Sequence, residues 1–146
     1  MAKQKIFYSD IFTKEMVAFY KTHIIEFVED VVFNGNKEFF LSDQQKEFLL
    51  EVQKYNRVAA KSGKGIGKTS SVTFAILWFL CCFDNAKVVA SAPSFQTLSS
   101  ALWPEISLWL NRSTLKHIFT QTATKLFLTE YPQTWFCEPR TATTPE

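Results

Sequence analysis

Glycine, proline and charge of one sign are scarce in this chain of 146 residues, and cysteine is present without a pattern. Four glycines and five prolines are too few for a collagen-like or flexible low-complexity chain. The three cysteines, Cys81, Cys82 and Cys137, are odd in number and include an adjacent pair. They form no disulfide framework and have no metal-ligand spacing, so a reducing compartment is the simpler expectation. A net charge of +2, with the basic residues scattered, makes no electrostatic case for nucleic acid. The N-terminus lacks the apolar core of a signal peptide. The apolar run from Val72 to Phe83 is too short to span a bilayer. No internal repeat is visible. What is abundant is apolar and aromatic: 47% of residues are hydrophobic, with 15 phenylalanines and four tryptophans. That is enough for a core, and the aromatic excess implies either a thick core or apolar surface meant for a partner.

Three of the four glycines fall within five residues, Gly63, Gly65 and Gly67. They sit in the stretch from Arg57 to Thr69, which reads as a short strand (Arg57 to Lys61), a glycine-rich turn and the start of a helix. Glycine costs entropy, so such a cluster marks backbone that takes unusual angles or approaches a ligand closely. Lys68 and Thr69 follow at once, at the offsets of a phosphate-binding P-loop. In such a loop, backbone N–H groups and a helix N-terminus face an anion, the lysine reaches the β/γ-phosphates and the hydroxyl holds Mg²⁺. Ser62 stands where the strict pattern has its first glycine. The helix from Lys68 to Phe83 is apolar nearly all round and is expected to be buried on more than one side. Lys87 to Ser91 reads as the next strand, completing a βαβ unit with a right-handed crossover.

Elsewhere, Val17, Tyr20, Ile24, Phe27 or Val28, and Val31 form one helical stripe, which predicts a helix over Lys14 to Val32. His23 lies beside that stripe as a core or interface residue. A second helix begins at Ser42, where Ser42 and Gln45 fit a capping box. Gln45 has two readings, helix cap and amide partner for the edge of adenine. Helical spacing returns from Ser94 to Leu110, with a kink expected near Trp103 because of Pro104. Lys125 to Thr129 and Thr134 to Cys137 read as two strands around a turn, and Pro139 to Glu146 as irregular.

Four segments, in order, resemble the N-terminal part of the ATPase domain of the large terminase subunit, the DNA-packaging motor of tailed phages. They are Phe27 to Val31, Asp43 to Glu47, Ala59 to Thr69, and Ala92 to Gln96 continuing through Leu102 to Ile106. Trp135 to Glu146 resembles the stretch just before that family's acidic Walker B strand. The resemblance implies an α/β fold: an incomplete parallel-sheet core of the P-loop NTPase (RecA/ASCE-like) kind over residues 57–146, preceded by a helical segment over 1–56 that carries the adenine-side motif. It implies ATP and Mg²⁺ as cofactors. Lys68 would bind the β/γ-phosphates, Thr69 would ligate Mg²⁺, and Ser62, Gly63, Lys64, Gly65, Ile66 and Gly67 would line the phosphates, with Gln45 at adenine. The family often has an arginine in the loop acting in cis on the γ-phosphate. Lys64 takes that place, keeping the charge without the planar fork. Implied partners are double-stranded DNA, a portal and a small terminase subunit, in the cytoplasm of a host or prophage-carrying bacterium and with no membrane.

Hydrolysis in this family also needs acidic groups for Mg²⁺ and the attacking water. After the loop the acids are Asp84, Glu105, Glu130, Glu138 and Glu146, and none ends an apolar strand of the Walker B kind. The expectation is therefore an ATP-binding fragment or split product that stops before Walker B and the nuclease domain and does not hydrolyse ATP alone, with a second chain that completes the domain among the partners considered. A helicase-like P-loop ATPase fragment and a non-enzymatic remnant or interaction module are the alternatives.

Overall fold

The computed structural model describes residues 5–55, 68–92 and 98–141. Its axis is helix α5, Lys68–Cys82. The sequence of α5 leaves it no polar face, and its side chains are accordingly buried on several sides: Ser71, Thr73, Phe74, Ile76, Leu77, Trp78, Leu80, Cys81 and Cys82. The two hydroxyl residues in this set carry partners. Thr73 Oγ1 donates to the carbonyl of Thr69 at 2.9 Å, the back-bond that lets threonine sit inside a helix, and Ser71 is likewise engaged. After α5 the chain turns at Asn85, whose φ of 54° is a left-handed conformation that asparagine tolerates. It then enters strand β1, Lys87–Ala92.

Three short helices precede α5 at the N-terminus: α1 (Tyr8–Ile11), α2 (Lys14–Lys21) and α3 (Ile24–Phe27), the last running into a π turn over Val28–Val32. The single helix expected from Lys14 to Val32 is thus broken at Thr22 and His23. The cause is local competition for one carbonyl. The Thr22 hydroxyl donates to Phe19 O at 3.3 Å, and His23 Nδ1 lies 2.7 Å from the same oxygen. His23 leaves the helical region at φ −139°, ψ 64°, and its ring stacks on Phe19 at 4.0 Å. The apolar stripe survives the break, because Tyr20, Ile24, Phe27, Val28 and Val31 are all buried. Helix α4, Asp43–Lys54, opens with the expected capping box: Ser42 Oγ accepts from Gln45 N at 3.1 Å and Gln45 Oε1 accepts from Ser42 N at 2.9 Å.

A π turn over Leu98–Leu102 leads into α6, Trp103–Asn111, followed by a 3₁₀ turn over Thr114–His117. The expected disturbance at Pro104 takes this form. Proline sits in the first turn of α6, where its missing N–H has no intrahelical use. Among the described residues, strands β2 (Phe119–Gln121), β3 (Leu126–Leu128) and β4 (Phe136–Thr141) join β1 in a four-stranded sheet in the order β1-β4-β3-β2. The sheet is mixed rather than all parallel. β1 pairs with β4 in parallel, Lys87 opposite Phe136 through Ala92 opposite Thr141, and the other two pairings are antiparallel. The expected first strand, Arg57 to Lys61, lies outside the described residues. The last strand runs further than the sequence suggests and includes Pro139. β3 pairs only with Phe136 and Cys137, so β4 has passed the end of that ladder where proline falls, an edge position that tolerates it.

The aromatic excess goes mainly into a thick core. Phe12, Phe27, Phe33, Phe74, Phe119 and all four tryptophans are buried, whereas Phe40 is 81% exposed. Each indole N–H has an acceptor: Trp78 with Tyr20 O, Trp103 with Thr122 O, Trp135 with Leu80 O, and Trp109 with the Glu105 carboxylate. Among the described residues no helix is long and apolar enough to cross a membrane.

The three thiols are buried and unpaired. Burial, the largest cause in each case, raises Cys82 to about 12 against the opposing charge of Lys21, raises Cys137 to about 12 with help from Glu138, and with Cys82 beside it pushes Cys81 well above its usual value. In the unfolded chain these thiols ionise near pH 8.5, whereas the folded chain keeps its protons. The unfolded state then binds fewer protons, so stability is full below that pH and falls as pH rises towards 12. Urea midpoints measured between pH 7 and 11 should decline accordingly, and Ellman's reagent should react only with unfolded protein. Rapid thiol labelling under native conditions would refute this burial.

Candidate functional site at the first turn of α5

The first N–H groups of a helix have no acceptor within it and carry the positive end of its dipole. The first described residues of α5 are Lys68, Thr69 and Ser70, so the lysine–threonine pair singled out by the sequence lies in that helix. Thr69 and Ser70 are half-buried. Ser62, Gly63, Lys64, Gly65, Ile66 and Gly67, the expected phosphate-binding loop and its cis cation, lie outside the described residues.

The structure brings to this turn a carboxylate that sequence reading passed over. Ser70 Oγ donates to Glu105 Oε2 at 2.5 Å, and Trp109 Nε1 donates to the same oxygen at 2.8 Å. Both bonds end on a carboxylate and are charge-assisted. Glu105 is half-buried in the first turn of α6, where the dipole of that helix favours an acid. Its position is fixed by a set of bonds around the start of α6. Trp103 Nε1 donates to Thr122 O at 2.7 Å, Gln121 Nε2 donates to Trp103 O at 3.0 Å, and Ser107 Oγ donates to Gln121 Oε1 at 2.5 Å. Behind Trp109 lies an aromatic cluster. The Trp109 ring is 5.1 Å from Phe74, 5.3 Å from Phe33 and 5.2 Å from Phe39, and the Arg112 guanidinium sits 4.8 Å above it. Phe74 belongs to α5, so this packing joins α6 to the helix whose first turn Glu105 touches.

The other acids do different things. Asp84 lies in the exposed turn after α5, Glu130 Oε1 accepts from Tyr8 N at 2.7 Å, Glu138 lies on β4, and Glu146 is outside the described residues. Gln45 is committed through Oε1 to its cap, and a carbonyl oxygen has a second lone pair with which to accept. The available signal for Glu105 was an acid at the start of a proline-opened helix with tryptophan four residues on, one helical turn away.

Among the described residues no three histidine, cysteine, aspartate or glutamate side chains gather as a metal cage. A hydroxyl, a carboxylate and water are nevertheless the hard oxygen donors that Mg²⁺ takes when most of its shell comes from phosphate and solvent. Thr69 offers such a hydroxyl in α5, and the Glu105 carboxylate is bonded to the neighbouring Ser70. No family model, curated protein or solved structure matches the chain.

Proposed function

We propose that this chain binds magnesium ATP through a P-loop formed by Ser62 to Thr69, as the N-terminal portion of a terminase-large-subunit-like packaging ATPase. The observation that carries the reading is helix α5, which includes Lys68 and Thr69 and follows the glycine cluster in the sequence. Phosphates bound there would meet backbone N–H groups and the helix dipole together. Lys68 would reach the β/γ-phosphates, Thr69 would ligate Mg²⁺ and Gln45 would face adenine. The parallel pairing of β1 with β4 and the burial of α5 support the same reading, since a P-loop helix packs on a sheet with parallel strands. In a packaging motor this binding would be coupled to movement of double-stranded DNA, with the portal and small subunit as partners and the carboxylates for hydrolysis supplied by a further segment or chain.

Calorimetric titration of the wild type and Lys68→Ala with Mg-ATP tests the proposal. Saturable binding is expected for the wild type. The variant should bind about 10- to 100-fold more weakly, the loss of one charge-assisted contact worth about 1.5–3 kcal/mol. A folded wild type that binds no Mg-ATP would overturn the reading.

A further inference from the structure

We propose that the face of the sheet turned away from α5 is a stacking platform for single-stranded nucleic acid. The pairing registers set one row of residues straight across the sheet: Lys87 on β1, Phe136 on β4, Phe127 on β3 and Thr120 on β2. Side chains alternate between faces along a strand, so the rows on either side point the other way. Those rows, with Trp135, Cys137, Leu126, Leu128 and Phe119, form the buried face, from which Trp135 reaches α5. The row of Lys87 stays open. Lys87 is exposed, Phe136 and Phe127 are half-buried, and Val89, two residues along β1 on the same face, is 52% exposed. Parallel strands are ordinarily covered on both faces, so an open aromatic row beside a parallel pair marks a binding surface.

The charges around the two rings favour a nucleic acid strand as the occupant. Lys125, on the same face by alternation, holds its ammonium 4.5 Å from the ring centroid of Phe136 and 5.9 Å from that of Phe127. A base can take the place of this cation over the rings, because every base has a π-face that stacks, and the displaced lysine then meets a phosphate. Lys87 supplies a second cation at one end of the row. At the other end stands the Thr120 hydroxyl, bonded to that of Thr129 at 2.7 Å. A protein layer packed here would bury both ammonium groups, whereas a strand brings an anion for each. Neighbouring strands lie about 4.8 Å apart, so the row is about 14 Å long, room for the two or three unstacked bases that such a sheet can hold. Bases stacked inside a duplex cannot reach the rings. Glu138 shares the face and is engaged there, and its charge opposes the phosphates. The net charge of +2 makes no case for nucleic acid; the placing of two cations around two rings does.

Fluorescence anisotropy of a labelled oligothymidylate, titrated with the full chain, tests the platform. Saturable binding is expected, and tighter than to a duplex of the same length. Phe127→Leu and Phe136→Leu keep apolar volume without an aromatic face, and each should weaken binding about tenfold. Lys87→Gln and Lys125→Gln should each weaken it and each lower the slope of log affinity against log salt by about 0.7. Glu138→Gln should tighten it. Lys68→Ala should leave it unchanged, which keeps the result independent of the nucleotide reading. Should a leucine variant not fold, the exposed change Lys87→Gln and its salt slope decide. A folded wild type that binds no single strand, that binds the duplex equally well, or that keeps its affinity in the leucine and glutamine variants overturns the proposal. A wild type that binds no strand and sediments as a dimer, dispersed to monomers by Val89→Glu, overturns it in favour of a second copy on this face.

Discussion

Replacing Trp109 by alanine is expected to destabilise the fold by about 3–5 kcal/mol, the range for removing a large buried aromatic. Its ring meets Phe33, Phe39 and Phe74 within 5.3 Å and lies beneath Arg112. Truncation would open a cavity between α5, which carries Phe74, and the loop that carries Phe33 and Phe39, and would strip a donor from the Glu105 carboxylate. Trp109→Phe separates these terms. It keeps much of the apolar contact and loses the charge-assisted bond, for a cost of about 1.5–3 kcal/mol. Urea midpoints at pH 7 would measure both. A loss below about 1 kcal/mol for the alanine variant would mean that the cluster collapses around the gap and that Trp109 does not join α6 to α5.

The second large effect is expected at Trp135. The last four carbonyls of a helix lack intrahelical donors, and in α5 two of them are taken up by side chains from far away in the chain. Trp135 Nε1 donates to Leu80 O at 2.6 Å, and the Tyr8 hydroxyl donates to Cys81 O. The two donors also pack together, with ring centroids 5.1 Å apart. Trp135→Ala should cost about 3–5 kcal/mol, and Trp135→Phe about 1–3 kcal/mol for leaving the buried Leu80 carbonyl unsatisfied. The burial of Tyr8, which desolvates its hydroxyl and raises its pKa far above the usual tyrosine value, should relax in both variants. Ultraviolet titration of tyrosine would show one more phenol ionising at its ordinary pH. Near-wild-type stability of both variants would refute this account of how α5 ends.

Much of this fold was legible because the signals were local. The burial of α5 follows from an apolar run with no polar face, and the Ser42–Gln45 box depends on residues three apart. The break at Thr22 and His23 was hidden because the apolar stripe continues through it. Stripe spacing reports which residues are buried, not whether the backbone between them stays helical. The reach of β4 through Pro139 was hidden for a different reason. A proline is excluded from a strand only where its N–H is needed, and that depends on where β3 stops. At the site, Lys68 and Thr69 were found by spacing to the glycines. Glu105 was not, since 35 residues separate it from Ser70 and the contact exists only once α6 has packed against α5.

The sheet contains two kinds of pairing that differ in how far apart their partners lie along the chain. In the antiparallel part, Phe119 faces Leu128 and Leu126 faces Cys137, so those contacts close short loops. In the parallel seam Lys87 faces Phe136, with α6 and two strands between them. Loop-closure entropy makes the seam costlier to form than the Phe119–Leu128 pairing by about 1.5 kcal/mol, so refolding should be ordered in time. The meander β2-β3-β4 can form early and alone, in the microseconds typical of hairpins. The seam closes the longer loop and is expected to form after it. The Ser70–Glu105 contact spans 35 residues, a shorter loop than the one from Lys87 to Phe136, so α5 and α6 can dock at the candidate site before β1 meets β4.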